Sequence, residues 1–199
     1  MQNQWDKNFS REEYIYGKEP NVFVEEMSDI FPAGSKIACL AEGEGRNAVF
    51  LAQRGHEVTA FDNSRVGLDK MEKLALDKGV NLQRELVDLT KERLPKEVYD
   101  GAILIFGHVP REDQAFFFQN LFDLVKPGGY ILFEVYSEKQ IDYKTGGPGV
   151  LTSLYRAKDL LEIVEEHEVL HFYYGEAERF EGINHTGACH LIQALVRKK

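Results

Sequence analysis

The segment KIACLAEGEGRNA, residues 36–48, decides the fold of this chain. It begins with the apolar run Ile37–Ala41, which is typical of a buried strand, and continues into a turn that contains Gly43 and Gly45. From Ala48 onward, apolar residues return with helical spacing. A strand, a glycine turn and a helix in this order indicate the first unit of a nucleotide-binding α/β fold. The two glycines allow a sharp turn and let a ligand approach the backbone closely.

A second predicted strand follows the glycine turn and ends on a carboxylate, at the spacing that nucleotide-binding α/β folds show. The apolar run Val58–Phe61 ends on Asp62, which lies 17 positions after Gly45. Folds of this kind place the carboxylate that binds ribose hydroxyls at about this point. Ser64 is then a suitable N-cap for the next helix. The sequence therefore predicts a second strand–helix unit and a ribose-binding role for Asp62.

The charges in the glycine turn bear on the identity of the nucleotide. Gly43, Gly45 and Ala48 formally satisfy the dinucleotide fingerprint. Glu42 and Glu44 stand in the same turn, and like charges at close range disfavour a pyrophosphate there. S-adenosylmethionine has no phosphate and carries an ammonium and a sulfonium, so it tolerates acidic neighbours. In the other interpretation, both glutamates point into solvent and do not discriminate between a dinucleotide and S-adenosylmethionine.

Length, charge and composition limit the remaining choices. A chain of 199 residues is expected to form one domain, 1–199, in which residues 1–35 are an N-terminal arm and helix. The formal net charge of −9 argues against a nucleic-acid partner. We also expect no membrane span and no signal peptide. Cys39 and Cys189 fall in apolar runs, which predicts core cysteines in a reducing cytoplasm, with neither a disulfide nor a metal site.

The apolar patterning predicts a doubly wound sheet of mostly parallel strands that ends in an antiparallel hairpin. The arm before it is rich in aromatic residues and either closes over a ligand or packs against an edge of the sheet; we favour a lid at Tyr16–Gly17. The predicted helices are 22–30, 46–53, 65–78, 111–125 and 157–165, and the predicted strands are 37–41, 58–61, 81–87, 99–106, 130–135, 169–180 and 188–196.

These motifs resemble those of the class I S-adenosylmethionine-dependent methyltransferases. Glu42–Asn47 resembles the first motif of that family, Asp62 matches the acid after its second strand, and Asp88–Leu89 matches its adenine-side position. Leu124–Gly129, with the sequence LVKPGG, resembles the turn before its fifth strand. The resemblance spans roughly residues 15–197 and implies a single-domain, Rossmann-like sheet of seven strands.

One branch of the family is more similar than the others, and there are departures. Gly45–Asn47 and the arm Tyr14–Asn21 resemble the small tellurite-resistance and thiopurine-type methyltransferases. Cys39 and Ala41 replace the usual Asp and Gly of the first motif. Gly107–Pro110 replaces the Asn/Asp-Pro-Pro-aromatic motif of the amino-methylating DNA enzymes, which counts against that activity.

The resemblance implies S-adenosylmethionine as the cofactor and a small molecule as the methyl acceptor. We expect the cofactor to contact residues at the glycine turn and at the ends of the strands. These residues are Glu42, Gly43, Glu44, Gly45, Asn47, Asp62, Asn63, Ser64, Asp88, Leu89, Phe106 and Gly107.

The acceptor side is less defined by the sequence. An oxygen nucleophile would need a general base, and His108 at the end of the fourth strand is the first candidate, with His185 in the hairpin loop as the second. Tyr16, Arg111 and Tyr143 are candidate substrate contacts. Each of these side chains also has a purely structural interpretation, as a packed, capping or solvated residue.

Three functions remain compatible with the sequence. The first is a methyltransferase that acts on a small molecule by in-line transfer. The second is a non-catalytic protein that binds S-adenosylmethionine or its product. The third is a nicotinamide-dependent oxidoreductase, which rests only on the formal glycine match and Asp62.

Overall fold

Seven strands form one sheet in a computed structural model that describes residues 3–199. Residues 1 and 2 of the predicted 1–35 arm lie outside the described residues. The strands are β1 (Lys36–Leu40), β2 (Glu57–Asp62), β3 (Gln83–Leu86), β4 (Tyr99–Ile105), β5 (Val125–Tyr136), β6 (Glu168–Glu181) and β7 (His185–Arg197). The α-helices of the same residues are α1 (Gln4–Phe9), α2 (Val22–Met27), α3 (Arg46–Gln53), α4 (Arg65–Asp77), α5 (Arg111–Asp123) and α6 (Ala157–Val164).

The order of the strands across the sheet is β3-β2-β1-β4-β5-β7-β6. The strands from β3 to β5 are parallel, whereas β7 pairs antiparallel with both β5 and β6. The chain order reverses between β1 and β4, and ligands of open α/β sheets bind at such a switch point. The predicted Rossmann-like sheet with an antiparallel C-terminal hairpin is thus confirmed.

Helices cover both faces of the sheet and bury an apolar core on each side. On one face, Ala38 and Leu40 of β1 pack in a cluster with Phe117 and Phe118 of α5. On the other face, the alternate β1 residues Ile37 and Cys39 pack with apolar residues of α2, α3 and α4. This alternation explains why the central strands are apolar throughout, since each is covered on both faces.

Several element boundaries differ from those predicted. Helix α5 ends at Asp123, and β5 begins already at Val125, so it is longer than predicted and has an irregular register opposite Tyr99–Gly101. Between β5 and α6, the chain forms a 3-10 helix over Glu138–Asp142, a segment for which the sequence predicts neither a helix nor a strand. His185, predicted in the hairpin loop, is the first residue of β7, because the hairpin turn is shorter than its glycines indicate.

Among residues 3–199, no helix has both the length and the apolar character needed to cross a bilayer. Cys39 and Cys189 are both free thiols, buried in β1 and β7 respectively. Their burial in the sheet agrees with the interpretation of both as core residues.

Gly45 is needed for the packing of α3 against α4. It has a φ of +92°, and a Cβ atom built on it would lie 2.2 Å from the Cγ atom of Met71. We expect Gly45→Ala to lower the free energy of unfolding by about 2–4 kcal/mol, because the backbone conformation is strained for alanine and the methyl group overlaps Met71. Urea denaturation measures this loss.

The matched control is Gly79→Ala. Gly79 has a similar φ of +70° but no heavy atom within 4 Å of a built Cβ. This variant isolates the backbone strain, for which we expect a loss of about 1 kcal/mol. Equal losses in the two variants would show that the contact with Met71 has no energetic importance.

Candidate functional site

A cavity lies at the carboxyl ends of β1, β2 and β4, next to the switch point of the sheet. Its walls come from the glycine turn, from the loops after β2, β3 and β4, from the N-terminal arm and from the start of β7. Most of the predicted cofactor residues line it: Glu42, Gly43, Asn47, Asp62, Asn63, Asp88, Leu89, Phe106 and Gly107. The fold therefore brings together residues that lie up to 65 positions apart, from Glu42 to Gly107.

Glu44 does not line this cavity. Its carboxylate forms an ion pair with Lys70 of α4 and accepts a hydrogen bond of 2.7 Å from the backbone N–H of Ile15. Glu44 is only 3% exposed, so it points neither to the cavity nor to solvent. Its contacts attach the N-terminal arm to the glycine turn, which is a structural role.

Gly45 and Ser64 also lie outside the cavity lining. Gly45 packs against Met71, as described above. The Ser64 hydroxyl accepts a hydrogen bond of 3.1 Å from the Gly67 N–H at the start of α4 and donates one of 2.7 Å to Asp6. Ser64 is therefore the helix cap that its sequence position predicts, and it holds α1 of the arm in place.

Glu42 is buried at the start of α3. One of its oxygens, Oε1, accepts hydrogen bonds from the N–H groups of Asn47 at 2.9 Å and Ala48 at 2.8 Å. Burial raises the pKa of this carboxyl to about 7, although the two N–H groups and Arg46 oppose the shift. Glu42 thus caps the helix and still lines the cavity, contrary to the solvent-facing alternative.

Asp62 connects the glycine turn to the loop after β2. Its Oδ2 accepts a hydrogen bond from the Gly43 N–H and its Oδ1 accepts one from the Ser64 N–H, both at 2.8 Å. Burial raises the pKa of Asp62 to about 6 against these hydrogen bonds. Each oxygen keeps a second lone pair, so the carboxylate can still accept from ligand hydroxyls. Its ribose-binding role stays a prediction.

Asp88 occupies the loop after β3. Burial raises the pKa of its carboxyl, but hydrogen bonds from Lys91 and Thr90 outweigh that effect and hold the pKa below its usual range. The ion pair with Lys91 measures 2.6 Å. Asp88 is therefore a charged carboxylate at the edge of the cavity, next to the buried Leu89.

The backbone at the end of β1 keeps a conformation that usually requires glycine. Ala41, which replaces the usual glycine of the first motif, has a φ of +51°, and Phe106 at the end of β4 has a φ of +52°. Such a left-handed conformation costs roughly 1 kcal/mol in a residue with a side chain. Ala41 thus adopts a backbone conformation that glycine adopts without strain, and it adds a methyl group to the cavity wall.

The N-terminal arm contributes residues that the sequence did not assign to the site. Trp5 and Phe9 of α1 stack with ring centroids 5.5 Å apart, and both line the cavity. A Cβ atom on Gly43 would lie 2.9 Å from the Phe9 ring, so the arm covers the glycine turn directly. The signal for this was the aromatic composition of the arm, and the lid role favoured for Tyr16–Gly17 stays a prediction.

His108 is held by two backbone groups. Its Nδ1 lies 2.9 Å from the carbonyl oxygen of Ser153, so Nδ1 carries the proton and donates it. Its Nε2 then accepts a hydrogen bond of 3.4 Å from the Tyr136 N–H. Burial lowers the pKa of His108 to about 4, despite the opposing hydrogen bond to Ser153. The imidazole is therefore neutral and only weakly basic at neutral pH.

His185 lies in an aromatic cluster at the mouth of the cavity. Its ring centroid is 4.5 Å from that of Tyr16, 4.4 Å from that of Phe106 and 5.4 Å from that of Tyr136. Burial lowers the pKa of His185, while the nearby Glu181 opposes this shift. The second base candidate is thus a buried side chain held by ring contacts.

A wider, more open cavity of about 790 Å³ adjoins the first. Five side chains line both: Trp5, Tyr16, Phe106, His108 and His185. The outer cavity is enclosed by the arm, by the 140–149 segment and by the hairpin turn. We call it the outer chamber, and its volume is in the range of small-molecule sites, about 300–1,000 Å³.

Two of the predicted substrate contacts differ in their placement. Tyr143 lines the outer chamber, and its hydroxyl donates to Glu176. Arg111 lies at the start of α5 and lines neither cavity; it borders a groove between α5 and α6 instead. Its position at a helix start close to His108 in sequence was misleading, because its Nη2 lies 3.5 Å from the carbonyl oxygen of Leu151, outside the cavity.

The charges of the cavity distinguish between the two cofactor classes. Glu42, Asp62 and Asp88 line it with a single formally charged cation, Arg46, among residues 3–199. This arrangement repels a pyrophosphate and accommodates hydroxyl groups and positive charge. The residues present therefore fit S-adenosylmethionine, which combines a ribose with an ammonium and a sulfonium.

Comparison with known proteins agrees with this geometry. Residues 37–129 match the family model of a methyltransferase domain. The crystal structure of TehB from Haemophilus influenzae superposes with a TM-score of 0.73 at 20% identity, over 90% of this chain and 63% of that chain. Magnesium protoporphyrin IX methyltransferase from Synechocystis PCC 6803, with bound S-adenosylhomocysteine, gives 0.68 at 15% identity, over 89% of this chain and 80% of that one.

A curated relative matches part of the chain. The tRNA 5-carboxymethoxyuridine methyltransferase of Escherichia coli K12 is 25% identical over 114 residues. The match covers 56% of this chain but only 44% of the relative. This chain thus spans less than half the length of that enzyme.

The domain model and the fold point to one class of protein. Residues 37–129 match a methyltransferase domain, and the fold is similar to that of S-adenosylmethionine-dependent methyltransferases, in agreement with the resemblance of the motifs. S-adenosylmethionine is the cofactor of this class.

The raised pKa of Glu42 predicts a specific pH dependence of stability. The folded state holds the Glu42 proton up to about pH 7, whereas the unfolded state releases it near pH 4.5. The folded state therefore binds more protons in this window, and the Glu42 contribution to stability falls as the pH rises through it. Glu42→Gln keeps an oxygen acceptor for the helix N–H groups but has no proton to release, so it lacks this loss of stability at higher pH.

We compare the free energy of unfolding of Glu42→Gln with that of the wild type. As the pH rises from 5 to 8, we expect this difference to shift in favour of the variant by on the order of 2 kcal/mol. Urea denaturation at several pH values measures the difference. Glu85→Gln, at an exposed position in β3, is the control and should give a difference independent of pH. A Glu42→Gln difference that is equally flat would contradict the burial of a titrating carboxyl.

Proposed function

We propose that this protein transfers a methyl group from S-adenosylmethionine to a small-molecule acceptor held in the outer chamber. The observation that carries the proposal is the junction of the two cavities. Trp5, Tyr16, Phe106, His108 and His185 line both, so a ligand in the chamber contacts the same side chains as a ligand at the strand ends. Such a junction supports direct transfer between two bound molecules.

The cavity at the strand ends, which we call the inner cavity, has complementary groups for the ribose and the adenine of the cofactor. The carboxylate of Asp62 accepts hydrogen bonds from ribose hydroxyls, and Asp88 with Leu89 borders the adenine side. Gly43 lets the ligand approach the backbone of the turn, while Phe9 covers that turn from the arm. When bound, S-adenosylmethionine supplies a methyl group that is already activated, so the protein mainly has to align the acceptor and exclude water.

The outer chamber favours an uncharged or anionic acceptor. None of the described residues that line it is an Asp or Glu, although the whole chain carries a net charge of −9. Its formally charged side chain is Lys144, and its other polar groups are amides, hydroxyls and histidines. A cationic acceptor would find no counter-charge on these walls.

The state of His108 favours an acceptor that needs little help from a general base. The Nδ1–H of His108 is hydrogen-bonded to the carbonyl oxygen of Ser153, and the pKa of the ring is about 4. His108 is therefore a weak general base at neutral pH. The acceptor should therefore present its nucleophilic lone pair without assistance, as a thiolate or another soft nucleophile does. We assign His108 the role of orienting the acceptor and shaping the chamber.

The name of the curated relative suggests a second kind of acceptor, a tRNA nucleoside. The net charge of −9 disfavours it, because nucleic-acid surfaces require clusters of basic side chains to neutralise phosphates. The relative also extends well beyond the matched region. A tRNA acceptor is therefore the competing outcome in the experiment below.

Transfer of a labelled methyl group from S-adenosylmethionine tests the proposal. The acceptors are a panel of small thiols, phenols, amines, carboxylates and oxyanions of selenium and tellurium, with bulk tRNA alongside. We expect turnover of at least one small molecule and none of tRNA. Methylation of tRNA alone would overturn the small-molecule assignment, and cofactor binding without any transfer would favour a non-catalytic binding protein.

Narrowing the chamber tests where the acceptor binds. Ile141 is 41% exposed on the chamber wall, so a tryptophan there should fit the fold and occupy acceptor space. We expect Ile141→Trp to raise the KM for the acceptor at least tenfold without changing the affinity for S-adenosylhomocysteine. Leu76→Trp, at a residue 67% exposed on α4, is the control and should change neither value. An unchanged KM in Ile141→Trp would place the acceptor elsewhere.

A further inference from the structure

The hydroxyl group of Tyr136 is buried and unsatisfied. Tyr136 is the last residue of β5 and is 0% exposed. Its hydroxyl oxygen makes no hydrogen bond to any of residues 3–199. A buried hydroxyl without a hydrogen bond destabilises the folded state, and buried polar groups of native proteins are rarely left in this condition. A use of this group outside the protein's own hydrogen bonds would explain why a tyrosine stands here.

The ring of Tyr136 lies behind the junction of the two cavities. It stacks on Phe106, with ring centroids 4.5 Å apart, and on His108, with centroids 5.6 Å apart. The ring of His185 meets it edge-on at 5.4 Å. These three neighbours line both the inner cavity and the outer chamber, whereas Tyr136 itself lines neither. The hydroxyl is therefore close to the space of the acceptor but is not open to it.

The backbone of two glycines covers the hydroxyl. A Cβ atom built on Gly146 would lie 2.7 Å from the Tyr136 hydroxyl oxygen and 2.7 Å from the carbonyl oxygen of Asn184. A Cβ atom built on Gly147 would lie 2.7 Å from Cδ2 of the Tyr136 ring. Gly146, Gly147 and Asn184 line the outer chamber. The layer between the hydroxyl and the chamber thus contains no side chain.

Few bonds hold this layer in place. Among residues 3–199, a single hydrogen bond reaches the backbone of residues 146–149, from the side-chain amide of Gln140 to the carbonyl oxygen of Gly146 at 3.1 Å. Gly146 has a φ of +151° and Gly147 a φ of +79°. Because glycine has access to a wide range of backbone conformations, the pair can move without steric conflict of its own. A ligand in the chamber can therefore displace the two glycines and reach the hydroxyl.

We propose that the Tyr136 hydroxyl donates a hydrogen bond to an oxygen atom of the methyl acceptor, after the acceptor has displaced Gly146 and Gly147. The inference rests on the proposed function, because it requires an acceptor in the outer chamber. It makes Tyr136 a specificity-determining residue, which the sequence analysis did not include in the site. It also narrows the acceptor to molecules that carry a carbonyl or carboxylate oxygen near the nucleophilic atom.

The hydroxyl acts as a donor and not as a base. Burial, the largest cause, raises the pKa of Tyr136 above its ordinary value, and the nearby Cys189 and Glu181 act in the same direction. The group therefore keeps its proton at neutral pH. A protonated hydroxyl binds a ligand oxygen but gains nothing from a hydrocarbon group, so it discriminates between acceptors of the same shape.

Two thiols of similar shape test the proposal. 3-Mercaptopropanamide carries a carbonyl oxygen, and 3-methyl-1-butanethiol has an isopropyl group in place of the amide. Neither group is charged, so Lys144 does not distinguish between them. Transfer of a labelled methyl group from S-adenosylmethionine gives kcat/KM for each thiol. We expect Tyr136→Phe to lower kcat/KM about tenfold for the amide and less than twofold for the hydrocarbon, because only the amide loses a hydrogen bond.

Tyr173→Phe is the control for activity. Tyr173 lies in β6 away from both cavities, is 38% exposed, and donates its hydroxyl proton to the carbonyl oxygen of Glu176. This variant should leave kcat/KM of both thiols unchanged. Equal losses for the two thiols in Tyr136→Phe would overturn the proposal and leave the proposed function intact. No transfer to either thiol by the wild-type protein would overturn the proposal together with the small-thiol acceptor on which it depends.

Thermal unfolding of the ligand-free protein is a second test, which needs no acceptor. Because the Tyr136 hydroxyl has no partner to lose, we expect Tyr136→Phe to unfold at the same temperature as the wild type or higher. Tyr155→Phe is the matched control, since Tyr155 is 1% exposed and its hydroxyl donates to the carbonyl oxygen of Gly107 at 2.8 Å. Its removal should lower the unfolding temperature. An equal decrease in Tyr136→Phe would show that the hydroxyl is satisfied inside the protein and would overturn the proposal.

Discussion

The ion pair between Glu134 and Arg179 is the interaction on which the arrangement of the site depends. Glu134 lies in β5 and is 0% exposed, and Arg179 of β6 donates to both of its oxygens, at 2.9 and 2.5 Å. Asn21 and Gln193 donate to the same carboxylate, at 2.8 and 2.6 Å. Removal of Arg179 would leave Glu134 as an uncompensated buried charge, at a cost of about 3–5 kcal/mol. These contacts join the arm, the centre of the sheet and the hairpin.

This network extends to the ligand cavity through Glu181. Arg179 lies 3.8 Å from Glu181, which in turn holds Arg46 at the start of α3. On the other side of the glycine turn, Glu44 pairs with Lys70 and fixes the arm. The cavity is therefore enclosed by segments from both ends of the chain, and its shape depends on buried charges as much as on apolar packing. Side chains that never touch a ligand thus determine the position of those that do.

Much of the fold could be predicted because its signals are local. Helix α3 begins and ends where the glycine turn and the apolar spacing place it, and Ser64 caps α4 as its residue type indicates. The parallel order of the strands follows from these repeated units and from the handedness of their connections. The bounds of β5 and β7 were less accurate, because glycine-rich segments such as Leu124–Gly129 can continue a strand as an irregular extension.

The site was predictable only to the level of its loops. Which way a side chain points from a turn depends on partners that are distant in sequence: Glu44 turns toward Lys70, and Arg111 borders the groove between α5 and α6. Glu134 and Arg179 lie 45 residues apart, and no local pattern marks a buried charge pair inside two strands. Their neighbours are ordinary strand residues, so the network becomes visible only when the strands are paired.

The central claim is that the cavity at the strand ends binds an adenosyl cofactor without a pyrophosphate. Calorimetric titration of the purified protein with S-adenosylhomocysteine, and in parallel with NAD, tests it most directly. The account predicts one-to-one binding of S-adenosylhomocysteine and no heat with NAD, because Glu42, Asp62 and Asp88 repel phosphate groups. Binding of NAD alone would contradict it and would assign the glycine turn to a dinucleotide.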